Sequence, residues 1–382
     1  MSIVKFGDIV REVKLNVDRD NNPYEFYVAG EHMDTEDLTI RCKGLFATDD
    51  VGPAFTRIFK KGQILYGSRR TYLKKVAVAD FDGICSNTTF VLESKNEHVF
   101  CQKLLPFIML TDSFTKWSIS HSKGSTNPYI LFSDLANYVF ELPSLDEQRV
   151  LADKLWAAYE VKESYKNLLA QTDKLLHAQF EKMFGDVENT IYDLKDIKSF
   201  ADCYAGATPS TRVVDYWENG NIPWMSSGEV HQGRVIRTEQ YITQKGYDNC
   251  STKMVPKHSI VIALAGQGKT RGTVAVTEID LCTNQSLCAI IPNSTVLPDY
   301  LYYHLKGRYM EIRRLAANAD GRGGLNLAII NKIKVIVPPM EKQLEFVSIA
   351  EQAEQTKASL NKGIEAIEAV IRSLIAEGTT KV

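Results

Sequence analysis

The sequence predicts an α+β fold: two strand-rich domains in tandem, separated by two long helices that form an intramolecular antiparallel coiled coil with pseudo-two-fold symmetry. Three observations predict it. The stretch from Ser144 to Phe184 contains no Gly or Pro. Its heptad seam reappears 195 positions later, Leu151 becoming Phe346. The strand-like runs before each stretch recur in the same order.

The first helix is predicted to start at Ser144 and Glu147, an S-x-x-E capping box just after Pro143. Gly185 follows the last apolar residue and suits a helix stop. Leu151, Leu155, Ala158, Tyr165, Leu169, Leu176 and Met183 fall on a four-three spacing interrupted by Lys162, Thr172 and Gln179. Such a seam wants a partner helix. At full length the helix spans about 60 Å, more than a small domain, so it reads as a spacer. The partner seam is Phe346, Ala350, Ala353, Lys357, Leu360, Ile364, Ile367, Ile371 and Leu374. Its one polar member, Lys357, is the counterpart of Lys162. The entrances match as well, Leu142-Pro143-Ser144-Leu145-Asp146-Glu147-Gln148 against Val337-Pro338-Pro339-Met340-Glu341-Lys342-Gln343. Two unrelated amphipathic helices would explain the periodicity but not the shared register and entrance.

The 382 residues suffice for two or three domains, and a net charge of −2 leaves any nucleic-acid case to local patches. The seven cysteines are scattered without a C-x-x-C pair, so neither a disulfide framework nor a zinc site is expected, and a reducing cytoplasm fits. Charges in MSIVKFGDIVREVK occupy the place of a signal peptide's apolar core. No apolar run approaches the length a membrane helix needs.

Residues 1–143 form the first strand-rich domain, with strands near Ile64–Tyr66, Val76–Ala79 and Thr88–Leu92 and a helix around Gln102–Thr111. The first spacer helix is 144–184. Residues 185–337 repeat the pattern, with strands near Ser259–Leu264, Thr273–Val276 and Leu287–Ile291 and a helix from about Pro298 to Ala317. The second spacer helix is 338–378. Phe6 to Leu194, Gly30 to Gly228 and Cys85 to Cys282 are collinear matches at nearly constant separation, the mark of an internal duplication. A second domain that begins where helix one ends, and a second helix that pairs back along the first, imply a pseudo-two-fold dumbbell.

Basic loops carry the strongest functional signal. Between Arg57 and Lys75 the chain holds Arg57, Lys60, Lys61, Arg69, Arg70, Lys74 and Lys75, with Tyr66 and Tyr72 interleaved and no acid. Ser68 lies in the same loop region. The equivalent window Lys253–Arg271 holds Lys253, Lys257, Lys269 and Arg271, again without an acid. Such loops suit phosphate contacts, and Arg suits bidentate contact with guanine. One cluster would read as a solvated face; its recurrence in both halves favours nucleic acid. In Ile222–Val230 and just beyond it, Ser226, Ser227 and His231 are candidates to reach base edges, whereas Trp224 reads as core. Arg322, in a Gly-rich loop, is placed to approach a phosphate or simply to sit in a flexible loop. Enzyme motifs fail. Gly268-Lys269-Thr270 ends like a Walker A loop, but the required first Gly is Ala263. Asn22-Pro23-Tyr24 and Asn127-Pro128-Tyr129 lack the second Pro of an N-P-P-Y motif. No His spacing suggests a metal, so catalysis by this chain alone is not expected. A self-contained DNA methyltransferase or nuclease remains the alternative in the enzyme class, and a coiled-coil scaffold without a DNA role is the third reading.

With two duplicated halves, the L-P-x-L-x-E-Q entrance and its echo, and the I-P-W-x-x-S-G-E-V segment at 222–230, the chain resembles the specificity subunit of a type I restriction–modification system. The resemblance implies two target-recognition domains, each reading one half of a bipartite site in double-stranded DNA. It implies helices that set the gap and dock methyltransferase (modification) subunits, with restriction (motor and nuclease) subunits joining the complex. No cofactor is expected in this chain; S-adenosylmethionine, ATP and Mg belong to the partner subunits. By resemblance Arg57, Lys60, Ser68, Arg69, Arg70, Tyr72 and Lys74 match the loop region of head one, and Gln267, Lys269, Thr270 and Arg271 that of head two. Lys342 departs from the pattern, standing where an acid is expected before Gln343.

Overall fold

The computed structural model describes residues 2–18, 21–266, 268–316 and 324–378. Contacts divide the chain into two units, Met1–Asn167 with Leu360–Val382, and Leu168–Ser359. Each unit therefore holds one strand-rich head with parts of both long helices, Leu145–Phe184 and Met340–Gly378.

In the first unit an antiparallel sheet runs Val10–Glu12, Thr89–Ser94, Ile64–Gly67, Val76–Val78. A second sheet runs Gly44–Leu45, Phe26–Val28, Gly83–Ser86, Phe55–Phe59, with a parallel pair at its centre. Both faces of the first sheet are covered. Ile64 and Tyr66 join the cluster beneath the helices, while Leu65 and Ala77 join the one between the sheets. That is why these strands read as continuous apolar runs.

The second unit repeats the plan. Its main sheet runs Ala201–Ala205, Leu287–Pro292, Ile260–Ala263, Val274–Thr277, Arg234–Val235, and its small sheet Gln240–Ile242, Ile222–Met225, Cys282–Thr283. Ile260 and Ile262 face the helix side; Val261 and Ala263 face the other. The helix expected around Gln102–Thr111 is a 3-10 turn followed by Leu105–Met109. Thr111 then caps a further helix, Asp112–Ser120, its Oγ1 accepting from Phe114 N at 3.1 Å.

In each unit a strand pair delivers the chain into its long helix: Ser2–Lys5 with Val139–Leu142, and Asp193–Asp196 with Lys334–Val337. The first helix opens on a reciprocal cap. Ser144 N donates to Glu147 Oε2 at 2.9 Å and Ser144 Oγ to the same oxygen at 2.8 Å. These bonds hold the Glu147 carboxyl below its ordinary range. The helix ends at Gly185, whose φ of 73° is left-handed and whose N–H reaches Glu181 O at 2.8 Å.

The two helices pack antiparallel within each unit. In the first, the Lys162 ammonium sits 3.2 Å from Glu368, and a Cβ on Gly363 would meet the Tyr165 ring at 2.6 Å. In the second, Lys357 sits 2.9 Å from Asp173, and Phe180 packs edge-on against Phe346 at 5.1 Å. Lys162–Glu368 and Lys357–Asp173 are one interaction made twice, since both partners shift by 195. The shared polar interruption of the seam is thus an ion pair. The long helices also feed the heads: Leu155 of the seam and Tyr159 beside it enter one core, and Phe346 of the partner seam, with Phe180 and Phe184, the other. Each such side chain contributes about 1.5–3 kcal/mol on burial.

Candidate nucleic-acid interface

The basic window of head one is split by the strand it contains. Ile64–Gly67 separates Lys60 and Lys61 from Arg69 and Arg70, and four residues at about 3.3 Å each put the two groups at opposite ends. At one end Lys60 Nζ lies 2.9 Å from Asp82 Oδ2 and 2.8 Å from Tyr24 Oη, hydrogen bonds that raise its pKa. Lys61 is exposed beside it, its N–H bonded to Asp82. At the other end Arg69, Arg70 and Tyr72 are exposed, and Tyr72 lies in a 3-10 turn, Thr71–Leu73. Arg70 and Lys74, which flank that turn, both have left-handed backbones, with φ of 50° and 45°. Of the two flanking residues, Arg70 is exposed and Lys74 is half-buried.

Three expected contacts are committed inside the head. Arg57 is 11% exposed, its Nη1 is 3.0 Å from Glu12, and its Nε donates to Asn16. Ser68 is buried, and its Oγ donates to Thr88 O at 2.6 Å. Lys74 pairs with Glu36 at 2.7 Å and Asp112 at 3.2 Å; although burial alone would lower its pKa, these partners raise it. The displayed set at this end of head one is therefore Arg69, Arg70 and Tyr72. A chain-order window does not reveal that an intervening strand turns its members to different places.

In head two the equivalent strand Ile260–Ala263 leads into a loop with left-handed Gly268 (φ 62°) and Gly272 (φ 83°). Lys269 is exposed, and its carbonyl accepts from Tyr309 Oη at 3.0 Å and Thr273 Oγ1 at 2.7 Å, which pins the loop. Thr270 and Arg271 are half-buried beside it. His231 Nε2 lies 3.1 Å from Thr270 Oγ1, joining the second candidate segment to this loop. A hollow of about 450 Å³ opens there, with Lys269, Lys306, Arg234 and Lys357 in its wall. Ser226 and Ser227 are half-buried. Ser226 N donates to Glu229 Oε2 at 2.7 Å, and Glu229, 5% exposed, also accepts from Glu239 N. Much of the I-P-W-x-x-S-G-E-V motif is scaffold, because its Glu ties two chain segments together. Trp224 is core, packed against Trp217 at 5.0 Å, with its indole N–H on Ala207 O. Gln267 and Arg322 lie outside the described residues.

Two buried polar devices had no role assigned to them from the sequence. The first is the glutamine of each helix entrance. Gln148 accepts from Cys101 N at 2.9 Å and donates to Val99 O at 3.2 Å and Pro143 O at 3.0 Å. Gln343 accepts from Leu297 N at 2.8 Å and donates to Thr295 O at 3.0 Å and Pro338 O at 2.9 Å. Both are essentially fully buried. The entrance motif is thus a lock between head and helix. Lys342 stands clear of it, paired with Glu345 at 2.7 Å. The second device occurs in head one, where buried Asp37 is clamped to the long helix. It accepts from Tyr159 Oη at 2.6 Å, and Arg41 and Lys166 lie at 2.7 and 3.2 Å. Burial alone would raise the Asp37 pKa. The bonds from Tyr159, Thr39 N and Arg41, with the Lys166 charge, outweigh it and hold the carboxyl at about 2.

Among the described residues no group of three or more His, Cys, Asp or Glu side chains converges as a metal site, and no helix is long and apolar enough to cross a membrane. The family model for the type I restriction modification DNA specificity domain matches twice, over residues 7–171 and 188–369. The EcoR124I/EcoR124II specificity subunit of Escherichia coli is 28% identical over 172 residues, 44% of this chain and 43% of that one. The MjaIX specificity subunit of Methanocaldococcus jannaschii is 30% identical over 162 residues, 41% of this chain and 37% of that one. The matched region thus spans about two-fifths of the length of these curated relatives. The crystal structure of a type I restriction–modification S subunit from M. genitalium shares the fold at a TM-score of 0.57 and 16% identity, covering 100% of this chain and 96% of that one. With one match on each half, and with two strand-rich heads on a pair of antiparallel helices, the chain belongs to the specificity subunits of type I restriction–modification systems.

Proposed function

We propose that this chain is the DNA-reading, non-catalytic subunit of its complex. Residues 1–143 and 185–337 act as two target-recognition domains, each reading one part of a bipartite double-stranded site. The helices, 144–184 and 338–378, set the gap between the two parts and dock the modification subunits. S-adenosylmethionine, ATP and Mg act on the modification and restriction subunits, in the cytoplasm.

One observation carries this reading: equivalent strands in the two heads, Ile64–Gly67 and Ile260–Ala263, each end in a loop that displays basic side chains, Arg69 and Arg70 in one and Lys269 in the other. Cations on exposed turns neutralise phosphates and release counterions, and guanidinium forks read base edges. The test is the affinity of the assembled complex for its site across a salt series, with Arg69 and Arg70 both replaced by Ala. Affinity should fall, and the salt slope should shrink by about 0.9 for each phosphate that is no longer neutralised. Unchanged affinity and slope would remove this loop from the interface and favour a scaffold without a DNA role.

A further inference from the structure

Head one brings a second loop against Arg69 and Arg70. Arg70 N donates to Pro128 O at 2.7 Å and Ile130 N to Ser68 O at 3.0 Å, while Lys123 and Tyr129 exchange backbone bonds at 2.7 and 2.9 Å. Arg69 is the bridge partner of Tyr129, and Tyr129 that of Lys123. Bridge partners project to the same face, so the three form a cation–aromatic–cation row. The Arg69 guanidinium lies 6.0 Å from the Tyr129 ring centroid, and Lys123 is 3.2 Å from Asp134. Among the described residues neither Arg69 nor Arg70 has an ion pair.

Arg70 is held differently. Its Nε donates to Asn127 Oδ1 at 3.2 Å, and Asn127 is itself exposed on the second loop. A guanidinium has five donors in one plane. Fixing Nε sets that plane and leaves Nη1 and Nη2 side by side, the pair that matches O6 and N7 of guanine. A fixed plane also suits a bidentate phosphate contact, so a preference for guanine at one position is what separates the two kinds of contact.

We infer that Asn127 is a positioning residue for base reading: it orients Arg70 so that both terminal nitrogens face one guanine of head one's half-site, beside Arg69 seated on Tyr129. This rests on the reading of head one as a DNA reader. The test uses the full chain assembled with its modification subunits, selecting from a randomised duplex pool. The salt dependence of binding to the preferred duplex is then measured, and a circular-dichroism melt confirms folding of each variant. Arg70→Lys keeps the charge and removes the fork. It should leave the salt slope unchanged while guanine preference at one position falls roughly 5- to 150-fold, the range one bidentate pair supplies. Asn127→Ala should relax the same position by about five-fold or more. Asn127→Asp, which still accepts from Nε, should keep the preference. A preference lost in Arg70→Lys but kept in Asn127→Ala would overturn the role of Asn127. Preference kept in both, with a smaller slope in Arg70→Ala, would leave a loop that only binds phosphate and overturn the inference alone. No effect of replacing Arg69 and Arg70 together by Ala would overturn the DNA reading of the loop as well.

Discussion

Gln148→Leu isolates the helix lock from packing, since leucine fills a similar volume and offers no polar atom. Three backbone groups lose their partner: Cys101 N, Val99 O and Pro143 O. Val99 is half-exposed and its bond to Gln148 is the longest of the three, so its carbonyl is the group best placed to regain water. The other two groups are the ones left without a partner, at about 1–3 kcal/mol each, and the leucine's own burial offsets part of that. A net loss of about 2–4 kcal/mol follows, which for a unit of this size lowers its melting temperature by roughly 5–15 °C. Hydrogen exchange in a urea series, read by mass spectrometry, resolves the two units. Gln148→Leu should deprotect the Cys101 amide and destabilise the first unit, with Gln343→Leu doing the same to the Leu297 amide and the second. If both variants keep those amides protected and stay within about 0.5 kcal/mol of the parent, the size of an ordinary surface substitution, the glutamines are not locks.

Three further outcomes are expected. The depressed Asp37 carboxyl, at about 2 against an ordinary 3.8, contributes stability that is full above about pH 4 and is lost as pH falls toward 2. At about 1.4 kcal/mol per pKa unit, discounted for solvent, Asp37→Asn should cost about 1–2 kcal/mol at neutral pH and abolish that part of the acid dependence; an unchanged pH profile of unfolding would contradict the clamp. Glu368→Gln leaves the Lys162 ammonium, 8% exposed, without its partner and should cost about 1–3 kcal/mol, with Asp173→Asn doing less because Lys357 keeps Glu354; equal losses in urea unfolding would contradict the difference. Seven residues inserted after Asn167 and after Ser359 together keep both ion pairs and add about 10 Å of helix. The gap in the methylated site should then grow by roughly one to three base pairs at about 3.4 Å each, and an active variant with the original gap would show that the heads set it.

The heptad seam was legible because a repeat of 3.5 is a property of chain order, and so was the duplication, including Lys162 and Lys357 as matched exceptions. What those lysines do was not legible, because their partners Glu368 and Asp173 lie on the other helix. Gln148 and Gln343 were visible as motif letters, but nothing local says that a glutamine will be buried and bonded to three backbone groups. The composition of the basic window was legible, but where each of its side chains is held was not. Arg57 and Lys74 find acids distant in sequence, Glu12 and Glu36, and the strand Ile64–Gly67 carries Lys60 away from Arg70. Asn127 was part of a polar loop with no distinguishing sign, since its value depends on Arg70 lying against it.

The central claim is that the two heads read DNA independently. The measurement is a methylated-base map of a host whose chain carries residues 1–143 from a relative of different specificity, compared with the map of the parent. One half of the bipartite site should change to that of the relative, while the other half and the gap stay as they were. A map in which both halves change together, or neither does, would contradict the account.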